Sequence, residues 1–225
     1  MDCVKKLVII GDGETGMLAY EYFTNDSEYQ VVAFCVEREF LAKKELYGLP
    51  VIALEDLEGS HPSKEYEVFV AVSSGALNRN RKTLYEKVKQ IGYSCASYIS
   101  SRAFVWKNAD IGENCFVLEH NTVQPFVKIG NNVTLWSGNH IGHRSVIKEH
   151  CFVSSHCVIS GFCTIGTCSF LGVNCTVENN VSIASDNFIG AGALIQKDTE
   201  PKSLYQGPQT ELSRVNTHRL FRIKE

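Results

Sequence analysis

Several features that mark membrane proteins and nucleic-acid-binding proteins are missing from this sequence. No uninterrupted apolar run approaches the roughly 20 residues that a membrane-spanning helix needs. No block of lysines and arginines stands out in a chain whose net charge is −3, which argues against nucleic acid or an anionic membrane as the main partner. Met1 leads directly into the strand-like run at 6–10, so we expect no signal peptide and a cytoplasmic protein.

The nine cysteines form no Cys-x-x-Cys pair, although histidines and cysteines are mixed between Cys151 and Cys163. Their odd number and the missing export signal argue against a disulfide framework. Three interpretations stay open, namely buried reduced thiols, a zinc site, or disulfides. We favour thiols that pack as small hydrophobes, because five of the cysteines fall in one column of the repeat described next, and we predict no metal.

What the sequence does contain is a repeat of six residues from Ile111 to Ile195. Every sixth position in this stretch is Ile, Val or Leu, with no insertion. Neither a helix, at 3.6 residues per turn, nor a strand, at 2.0, has this period. Short strands joined by tight turns do have it, with three walls of six residues in each coil of about 18. The pattern predicts about five coils of parallel β-helix from near residue 105 to 197.

Two further columns support this architecture. The fourth residue after each aliphatic is small or slim, as the corner of a narrow prism requires. Glycine follows the aliphatic at six of the steps, which we interpret as suiting a chain that must turn every few residues. The cysteines in the small column are Cys115, Cys151, Cys157, Cys163 and Cys175, and the six glycines are Gly112, Gly130, Gly142, Gly166, Gly172 and Gly190.

The first 98 residues predict a small α/β domain with a parallel sheet, because strand-like runs alternate with helical patterns. The string Gly-Asp-Gly-Glu-Thr-Gly at 11–16 follows the first strand and opens the first helix. In that context glycines let the backbone approach a phosphate. About 95 residues is half of a dinucleotide domain, so we predict a single nucleotide. The predicted strands are 6–10, 29–36, 49–54, 67–73 and 94–99, and the helices are 17–23 and 78–91.

Ligands of open parallel sheets collect at the carboxyl ends of the strands, which makes several residues candidates for binding the nucleotide. Glu37 follows the second strand and could accept a hydrogen bond from a ribose or a base. For Arg79 and Arg81 the alternative is a solvated helix face, and for the glycine string it is a tight turn without a ligand. The candidates are Gly11, Asp12, Gly13, Glu37, Ser73, and Arg79 or Arg81.

Four histidines fall within seventeen residues of the coil, at His140, His143, His150 and His156. Residues eighteen apart stack on one wall, so His143 should lie beneath Gly161. An imidazole can take a proton from an amine or a hydroxyl, and a backbone N–H one rung away can hold an oxyanion. We therefore predict His143 as a general base, although wall-facing polar histidines are the alternative. No Ser-His-Asp order supports an acyl-enzyme.

These residues carry a resemblance to a known family. A half-Rossmann βαβ domain followed by an uninterrupted hexapeptide coil resembles the sialic acid O-acetyltransferase-like sugar O-acyltransferases, and among them the bacterial nucleotide-sugar N-acetyltransferases. The resemblance covers nearly the whole chain and rests on GDGETG, on LWSGNHIGHRSVIKEHCFVSSHCVISG, and on FLGVNCTV and FIGAGALIQKDTEP. It implies a nucleotide-sugar-binding domain at 1–98, a left-handed β-helix acyltransferase domain at 99–198, a C-terminal extension at 199–225, and a homotrimer.

The resemblance also implies an activity, the transfer of an acetyl group from acetyl-CoA to the amino group of a nucleotide-linked amino-dideoxy sugar. In this reaction His143 would be the base for direct attack, and Gly161 would supply the oxyanion amide. O-acetylation of a sugar such as a sialic acid, and a non-catalytic nucleotide-sugar-binding trimer, stay open as alternatives. The implied coenzyme residues are Gly161, Gly172, Ala191 and Pro208, and the implied substrate residues are Gly11, Asp12, Gly13, Glu37, Ser73, Arg79, Asn121 and His140.

The chain departs from the family pattern at two places. Arg144 stands where many relatives have an acidic residue after the catalytic histidine, so Glu119 or Glu149 would have to support the base. The usual Gly-Asn-Pro-Ala near the coenzyme is replaced by the sequence Gly-Pro-Gln-Thr at 207–210.

Overall fold

A five-stranded sheet with helices on both faces forms the N-terminal part of the protein, whose computed structural model describes residues 4–224. The strand order is β3-β4-β2-β1-β5, and every pairing is parallel except that of β3 with β4. The α/β prediction is therefore confirmed. The elements are β1 (Lys5–Ile10), α1 (Glu14–Asn25), β2 (Tyr29–Val36), β3 (Glu45–Leu46), β4 (Leu49–Ala53), α2 (Leu57–Ser60), β5 (Glu67–Val70) and α3 (Arg79–Ile91), with 3₁₀ turns at Arg38–Phe40 and Leu54–Asp56.

The sheet is apolar on both faces, as a parallel sheet covered by helices must be. Alternate residues of β1 enter two different cores. Leu7 and Ile9 pack with Phe23 of α1 on one face, while Val8 and Ile10 pack with Val88 of α3 on the other. This division fixes α1 and α3 on opposite sides of the sheet.

The coil consists of two-residue strands that stack into three parallel walls. One wall contains seven strands, another six and the third five. In chain order the strands are β6 (Tyr98–Ile99), β7 (Phe104–Val105), β8 (Asp110–Ile111), β9 (Phe116–Val117), β10 (Thr122–Val123), β11 (Lys128–Ile129), β12 (Thr134–Leu135), β13 (His140–Ile141), β14 (Val146–Ile147), β15 (Phe152–Val153), β16 (Val158–Ile159), β17 (Thr164–Ile165), β18 (Phe170–Leu171), β19 (Thr176–Val177), β20 (Ser182–Ile183), β21 (Phe188–Ile189), β22 (Leu194–Ile195) and β23 (Leu204–Tyr205).

The repeat is the core of this prism. All of its aliphatic positions from Val117 to Ile195 are buried, and Ile111 is half-buried. The pairing begins one step earlier than predicted, because Tyr98–Ile99 pairs with β9, and it continues past residue 198 to β23. The prediction that residues 94–99 form the fifth strand of the α/β sheet is therefore wrong. This segment joins the sheet through a single β-bridge, between Val68 and Cys95.

Glycine plays a different part in the coil from the one predicted. None of the six repeat glycines has a positive φ. A Cβ at Gly142, for example, would lie 2.5 Å from the amide nitrogen of Gly161 on the next rung, so close stacking excludes a side chain there. The left-handed position of each turn comes two residues later and is mostly not glycine, as at His120, Arg144 and His156.

The coil and the sheet share a core rather than being joined by a linker. Phe116 and Leu118 of the coil pack with Phe23 and Tyr98. Asn114 adds polar contacts to this joint, because its side-chain oxygen accepts from the amide of Val70 at 2.7 Å and its nitrogen donates to the carbonyl of the same residue at 3.3 Å. The two parts of the molecule are therefore held in one fixed relation.

Asp26, at the end of α1, makes this joint sensitive to acid. Ser101 and the hydroxyl of Tyr98, which donates at 2.6 Å, lower the pKa of Asp26 to about 2. The resulting stabilisation is complete above the unfolded pKa, about 3.9, and is lost as pH falls toward 2. We expect Asp26→Asn to lower the free energy of unfolding by about 1 kcal/mol at pH 7 and pH 5, a value reduced for solvent screening, and by about half as much at pH 3.

Urea titrations of the wild type and Asp26→Asn at pH 7, 5 and 3 check this expectation. Asn25→Ala is a matched control, because Asn25 is exposed and bonds only within its own helix. Parallel curves of stability against pH for the wild type and Asp26→Asn would contradict the assignment.

Candidate active site

A cavity of about 550 Å³ opens at the carboxyl ends of β1, β2 and β5. The glycine string forms one side, and Glu37 and Ser73 lie at the ends of the neighbouring strands. The structure thereby brings together five of the predicted nucleotide-binding residues. They are Gly11, Asp12, Gly13, Glu37 and Ser73.

The three glycines of the string differ in function. Gly11 has φ +121°, and a Cβ there would lie 2.6 Å from the carbonyl oxygen of Ala71. A Cβ at Gly16 would overlap the carbonyl of Gly11. Gly13 caps α1 with extended backbone, and a Cβ there would meet no protein atom within 4 Å. Gly11 and Gly16 therefore allow the turn itself, whereas Gly13 leaves open space at the start of a helix.

The charges around this cavity are mainly acidic but partly compensated. The carboxylate of Glu37 is paired with Lys87 of α3. The Nζ of Lys43 lies 3.7 Å from a carboxylate oxygen of Asp12 and 3.4 Å from the main-chain carbonyl oxygen of Asp12. Each lysine leaves part of its carboxylate partner able to accept hydrogen bonds from a ligand.

The two arginines at the start of α3 do not face the cavity, which contradicts the prediction for Arg79. Arg79 forms an ion pair with Asp186 of the coil at 2.5 Å. Arg81 is buried and donates to the side chain of Asn132 and to the carbonyls of His150 and Cys151. Both arginines thus join α3 to the coil. They neither line the nucleotide cavity nor form a solvated helix face.

The same junction contains a residue that the sequence did not single out. Asn78 is fully buried, and its side chain donates to the carbonyls of Cys168 and Ser169 at 3.2 Å. It ends three consecutive left-handed residues, 76–78, that connect the edge of the cavity to α3. Such a run in non-glycine residues costs free energy, and the contacts of Asn78 with the coil hold it in place.

His143 lies exposed on one corner of the prism, and we call this corner, residues 142–145 and 160–163, the His143 corner. Its ring covers Gly161, as predicted, since Cε1 lies 2.6 Å from the place of a Cβ on that glycine. It also meets the ring of Phe162 edge-on, with centroids 5.0 Å apart. The amide of Gly161 donates to no acceptor among residues 4–224, so it is free for an oxyanion.

The polar partner of His143 is Gln124 and not an acidic residue. Its Oε1 lies 3.3 Å from Nδ1 of His143 and accepts from the His143 amide at 2.9 Å. An oxygen acceptor at Nδ1 holds the proton there and leaves Nε2 as the basic nitrogen. Gln124 stands one rung below Gly142, and eighteen-residue stacking could have found it.

The acidic residues that we expected to support the base are elsewhere. Glu119 accepts from the hydroxyl of Tyr22 at 3.0 Å and from that of Ser137 at 2.6 Å. These donors keep the pKa of Glu119 below its usual value although burial opposes them. Glu149 packs on Gly130, on another corner. Arg144 lies over the ring of Phe126, 4.5 Å from its centroid.

The predicted coenzyme residues fall on two corners. Gly161 is on the His143 corner, whereas Gly172 and Ala191 are on the corner that follows β18 and β21, with Pro208 next to Gly192. Gly172 is buried, and a Cβ there would lie 2.6 Å from the Ala191 amide, so its small size serves stacking. Within one chain the structure does not bring the two sets together.

The substrate prediction for Asn121 is contradicted. Asn121 is fully buried, and its side chain donates to the carbonyls of Leu118 and Trp136 inside the prism. His140 is half-buried on the outer face of β13, three residues from His143, and its contact with substrate stays a prediction.

Neither His150 nor His156 has the arrangement of His143. Burial lowers the pKa of His150 to about 4, and its Nδ1 lies 2.9 Å from the side-chain nitrogen of Asn132, which can donate to the neutral ring. His156 packs on Gly138, at a left-handed turn position. Only His143 of the four combines exposure with a polar partner and a free backbone amide.

The eight described cysteines are free and buried, as small hydrophobes are. Across residues 4–224 no three His, Cys, Asp or Glu side chains group as metal ligands would. In the same range no helix is both long enough and apolar enough to cross a membrane.

Together, the hexapeptide coil and the glycine-string cavity define the architecture, a parallel β-helix joined to a small α/β sheet. The family of bacterial transferase hexapeptide repeats, described as six repeats, matches residues 108–143 and 126–161. A histidine-to-asparagine mutant of perosamine N-acetyltransferase from Caulobacter crescentus, in complex with CoA and GDP-perosamine, superposes with a TM-score of 0.80 at 23% identity, over 90% of this chain and 93% of that one.

A second solved structure supports the same architecture. The acetyltransferase domain of PglB from Neisseria gonorrhoeae superposes with a TM-score of 0.80 at 25% identity, over 89% of this chain and 95% of that one. The matches confirm the fold class and the resemblance to hexapeptide-repeat sugar acyltransferases that the sequence predicts.

Proposed function

We propose that this protein is an acetyl-CoA-dependent N-acetyltransferase that acts on the amino group of a nucleotide-linked amino-dideoxy sugar. The observation that carries the proposal is the pairing of His143 with the free amide of Gly161. The perosamine N-acetyltransferase of similar fold binds CoA and GDP-perosamine, and the PglB acetyltransferase domain binds acetyl coenzyme A. These ligands match the two kinds of site that we propose here.

In the proposed reaction the sugar amine attacks the thioester carbonyl while Nε2 of His143 takes a proton from its nitrogen. A C–N bond forms and the C–S bond breaks, and the sulfur leaves as the thiol of CoA with the proton that His143 took from the amine. Gln124 keeps the proton of the imidazole on Nδ1, so that Nε2 is oriented as the acceptor. The amide of Gly161 donates to the oxygen of the tetrahedral intermediate, where negative charge develops.

The nucleotide would lie in the cavity at the glycine string. Free amides at the start of α1 favour a phosphate there, and Glu37 and Ser73 offer hydrogen bonds to the nucleoside. We propose residues 1–98 as the nucleotide-sugar-binding domain, with the coil supplying the acyltransferase site. The eight free buried thiols support a reducing compartment, and we place the reaction in the cytoplasm.

We further propose a homotrimer, for two structural reasons. Apolar side chains are exposed beside His143, on the wall of β13 at Phe104, Val158 and Leu194, on the His143 corner at Phe162, and one rung below that corner at Phe126. Such patches mark interfaces. The coenzyme residues lie on two corners, which neighbouring copies of a cyclic assembly can bring to one ligand.

Light scattering at micromolar concentration is expected to give three times the chain mass of 25.1 kDa. A monomer under these conditions would contradict the trimer.

The experiment that tests the function is release of CoA thiol from acetyl-CoA with a panel of amino-dideoxy sugars linked to uridine, thymidine or guanosine diphosphate. Mass spectrometry before and after hydroxylamine separates the products, because the reagent removes O-acetyl groups and leaves amides. A hydroxylamine-labile product would favour the O-acetyltransferase instead. No thiol release with any sugar, despite nucleotide-sugar binding, would favour a non-catalytic trimer.

Gly13 offers a clean test of the nucleotide site. We expect Gly13→Val to weaken nucleotide-sugar binding at least tenfold, about 1.4 kcal/mol, because the added side chain occupies the space at the start of α1. The affinity for acetyl-CoA should hardly change. The free energy of unfolding should fall by no more than about 1 kcal/mol, because valine is a poorer N-cap than glycine, although φ is −85° and the Cβ meets no protein atom.

Calorimetric titration of both ligands measures the effect of Gly13→Val. The control is Gly48→Val, in the turn between β3 and β4, where a Cβ also meets open space. Because Gly48 has a φ of +75°, valine there should lower stability. This variant therefore shows whether lost stability alone weakens binding. Equal loss of both ligands in Gly13→Val would show that the two sites are not separate.

A further inference from the structure

The last described residues of the chain, 212–224, carry apolar side chains that the rest of the protein does not cover. We call this segment the C-terminal tail. It contains the helix α4 (Thr217–Phe221), whose cap, Asn216, accepts from the amide of Arg219 at 2.8 Å. Its apolar side chains are between 41% and 97% exposed. They are Leu212, Val215, Leu220, Phe221 and Ile223.

The charge of the C-terminal tail is opposite to that of the remaining protein. It contains four Lys or Arg residues and no Asp or Glu, in a chain whose net charge is −3. The rest of the chain therefore carries −7. Within residues 4–224, none of the four cations forms an ion pair with a carboxylate. They are Arg214, Arg219, Arg222 and Lys224.

We infer that the C-terminal tail binds the surface of an anionic lipid bilayer, a partner against which the charge of the whole chain argued because it conceals the local excess of cations in this segment. A short segment that combines cations without an ion pair to any carboxylate of residues 4–224 with exposed aliphatic and aromatic side chains fits the interface between headgroups and acyl chains. A single helical turn is marginal in water, and burial of Leu220 and Phe221 at such a surface would stabilise and extend it. The inference does not depend on the enzymatic proposal.

The position of the tail in the fold agrees with this partner. β23 is the last strand of its wall, so the chain leaves the prism at its end. Neither the His143 corner nor the nucleotide cavity includes any residue of the tail. The charge of −7 on the remaining protein opposes its approach to an anionic surface within about a Debye length, about 8 Å in physiological salt. This repulsion favours contact through the C-terminal tail alone.

A second copy of the chain is the competing partner, since its net negative charge would also attract the tail. The lipid surface is favoured because the exposed residues alternate with cations over the whole segment, with no anion to set the register of a specific protein contact. A protein partner would need a surface that is both apolar and negatively charged and that matches the shape of the tail. A bilayer supplies anionic headgroups and an apolar interior without any shape match.

The test is co-sedimentation of the full-length protein with vesicles of phosphatidylglycerol and phosphatidylcholine in equal parts, and with pure phosphatidylcholine, in the absence of substrates. We expect binding to the first vesicles and little to the second. Arg219→Gln with Arg222→Gln should lower the partition coefficient about 25-fold, at about fivefold per cation. Leu220→Ser with Phe221→Ser should lower it by more than about tenfold.

A matched control is Lys64→Gln with Lys148→Gln, which removes two exposed cations outside the tail and should leave vesicle binding unchanged. No binding of the wild type to anionic vesicles would overturn the inference. So would an equal loss in the control pair, or tail variants that bind vesicles normally but change the mass in light scattering, which would indicate a contact between copies. Thiol release without vesicles should be the same in tail variants and wild type, so the result is separable from the enzymatic proposal.

Discussion

Replacing His143 by asparagine is expected to lower turnover by two to four orders of magnitude, the usual contribution of a positioned general base. Asparagine keeps a polar group on the exposed corner but cannot take a proton from the attacking amine. The protein should fold normally, since His143 contributes nothing to the interior of the prism. The affinity for acetyl-CoA should hardly change, because the imidazole acts on the incoming nitrogen and not on the coenzyme.

Thiol release and calorimetric titration with acetyl-CoA together measure this effect. His120→Asn is a matched control, because His120 is exposed on another corner and has a left-handed φ of 60°, which asparagine tolerates. Full activity of His143→Asn, together with a loss in His140 or His156 variants, would show that the base has been placed at the wrong step of the repeat.

The largest effect on stability is expected at Arg81. Arg81→Met keeps much of the aliphatic stem but leaves the carbonyls of Asn132 and His150 without a donor. The side-chain oxygen of Asn132 keeps the donor Asn114, and the carbonyl of Cys151 keeps the amide of Thr134. Each of the two unsatisfied buried acceptors costs about 1–3 kcal/mol, so the free energy of unfolding should fall by at least about 2 kcal/mol. Burial lowers the pKa of Arg81 to about 10, and the guanidinium is still charged at neutral pH.

Urea unfolding followed by tryptophan fluorescence is a suitable measurement, since Trp136 packs against the core that the coil shares with the sheet. Arg79→Met, two residues earlier on the same helix, is the control. Its ion pair with Asp186 is partly exposed, and its loss should cost less than about 1 kcal/mol. Equal losses in the two variants would mean that burial does not distinguish the two contacts.

The architecture of the coil could be predicted from the sequence because its contacts are periodic. In an eighteen-residue coil, residues on successive rungs are a fixed distance apart in the chain. The stacking of His143 on Gly161 therefore followed from their numbers. The same arithmetic would have found Gln124, whose place below Gly142 was overlooked in favour of charged candidates. Glu119 was a wrong candidate because its carboxylate is engaged by Tyr22 and Ser137.

The glycine string was equally readable, since its strand–loop–helix context is local. The sequence could not say which of its glycines are required by the turn. That depends on the carbonyl of Ala71, brought to Gly11 from a distant strand. The error at Asn121 has a related cause, because a polar residue in the small column suggested a ligand contact until the interior carbonyls that it satisfies could be seen.

By itself, then, the sequence determined the stacked coil, the glycine-string loop and the pairing of a histidine with a glycine amide, all set by local order or by a strict repeat. Only the tertiary structure decided what α3 does. The sequence positions of its arginines are compatible with contact to a nucleotide, to solvent or to the coil. Which of these they contact depends on how the helix is rotated about its axis against the prism. The packing of Tyr85 and Val88 into the sheet fixes that orientation, and with it Arg81 is directed to carbonyls that lie 51 to 70 residues away in the chain.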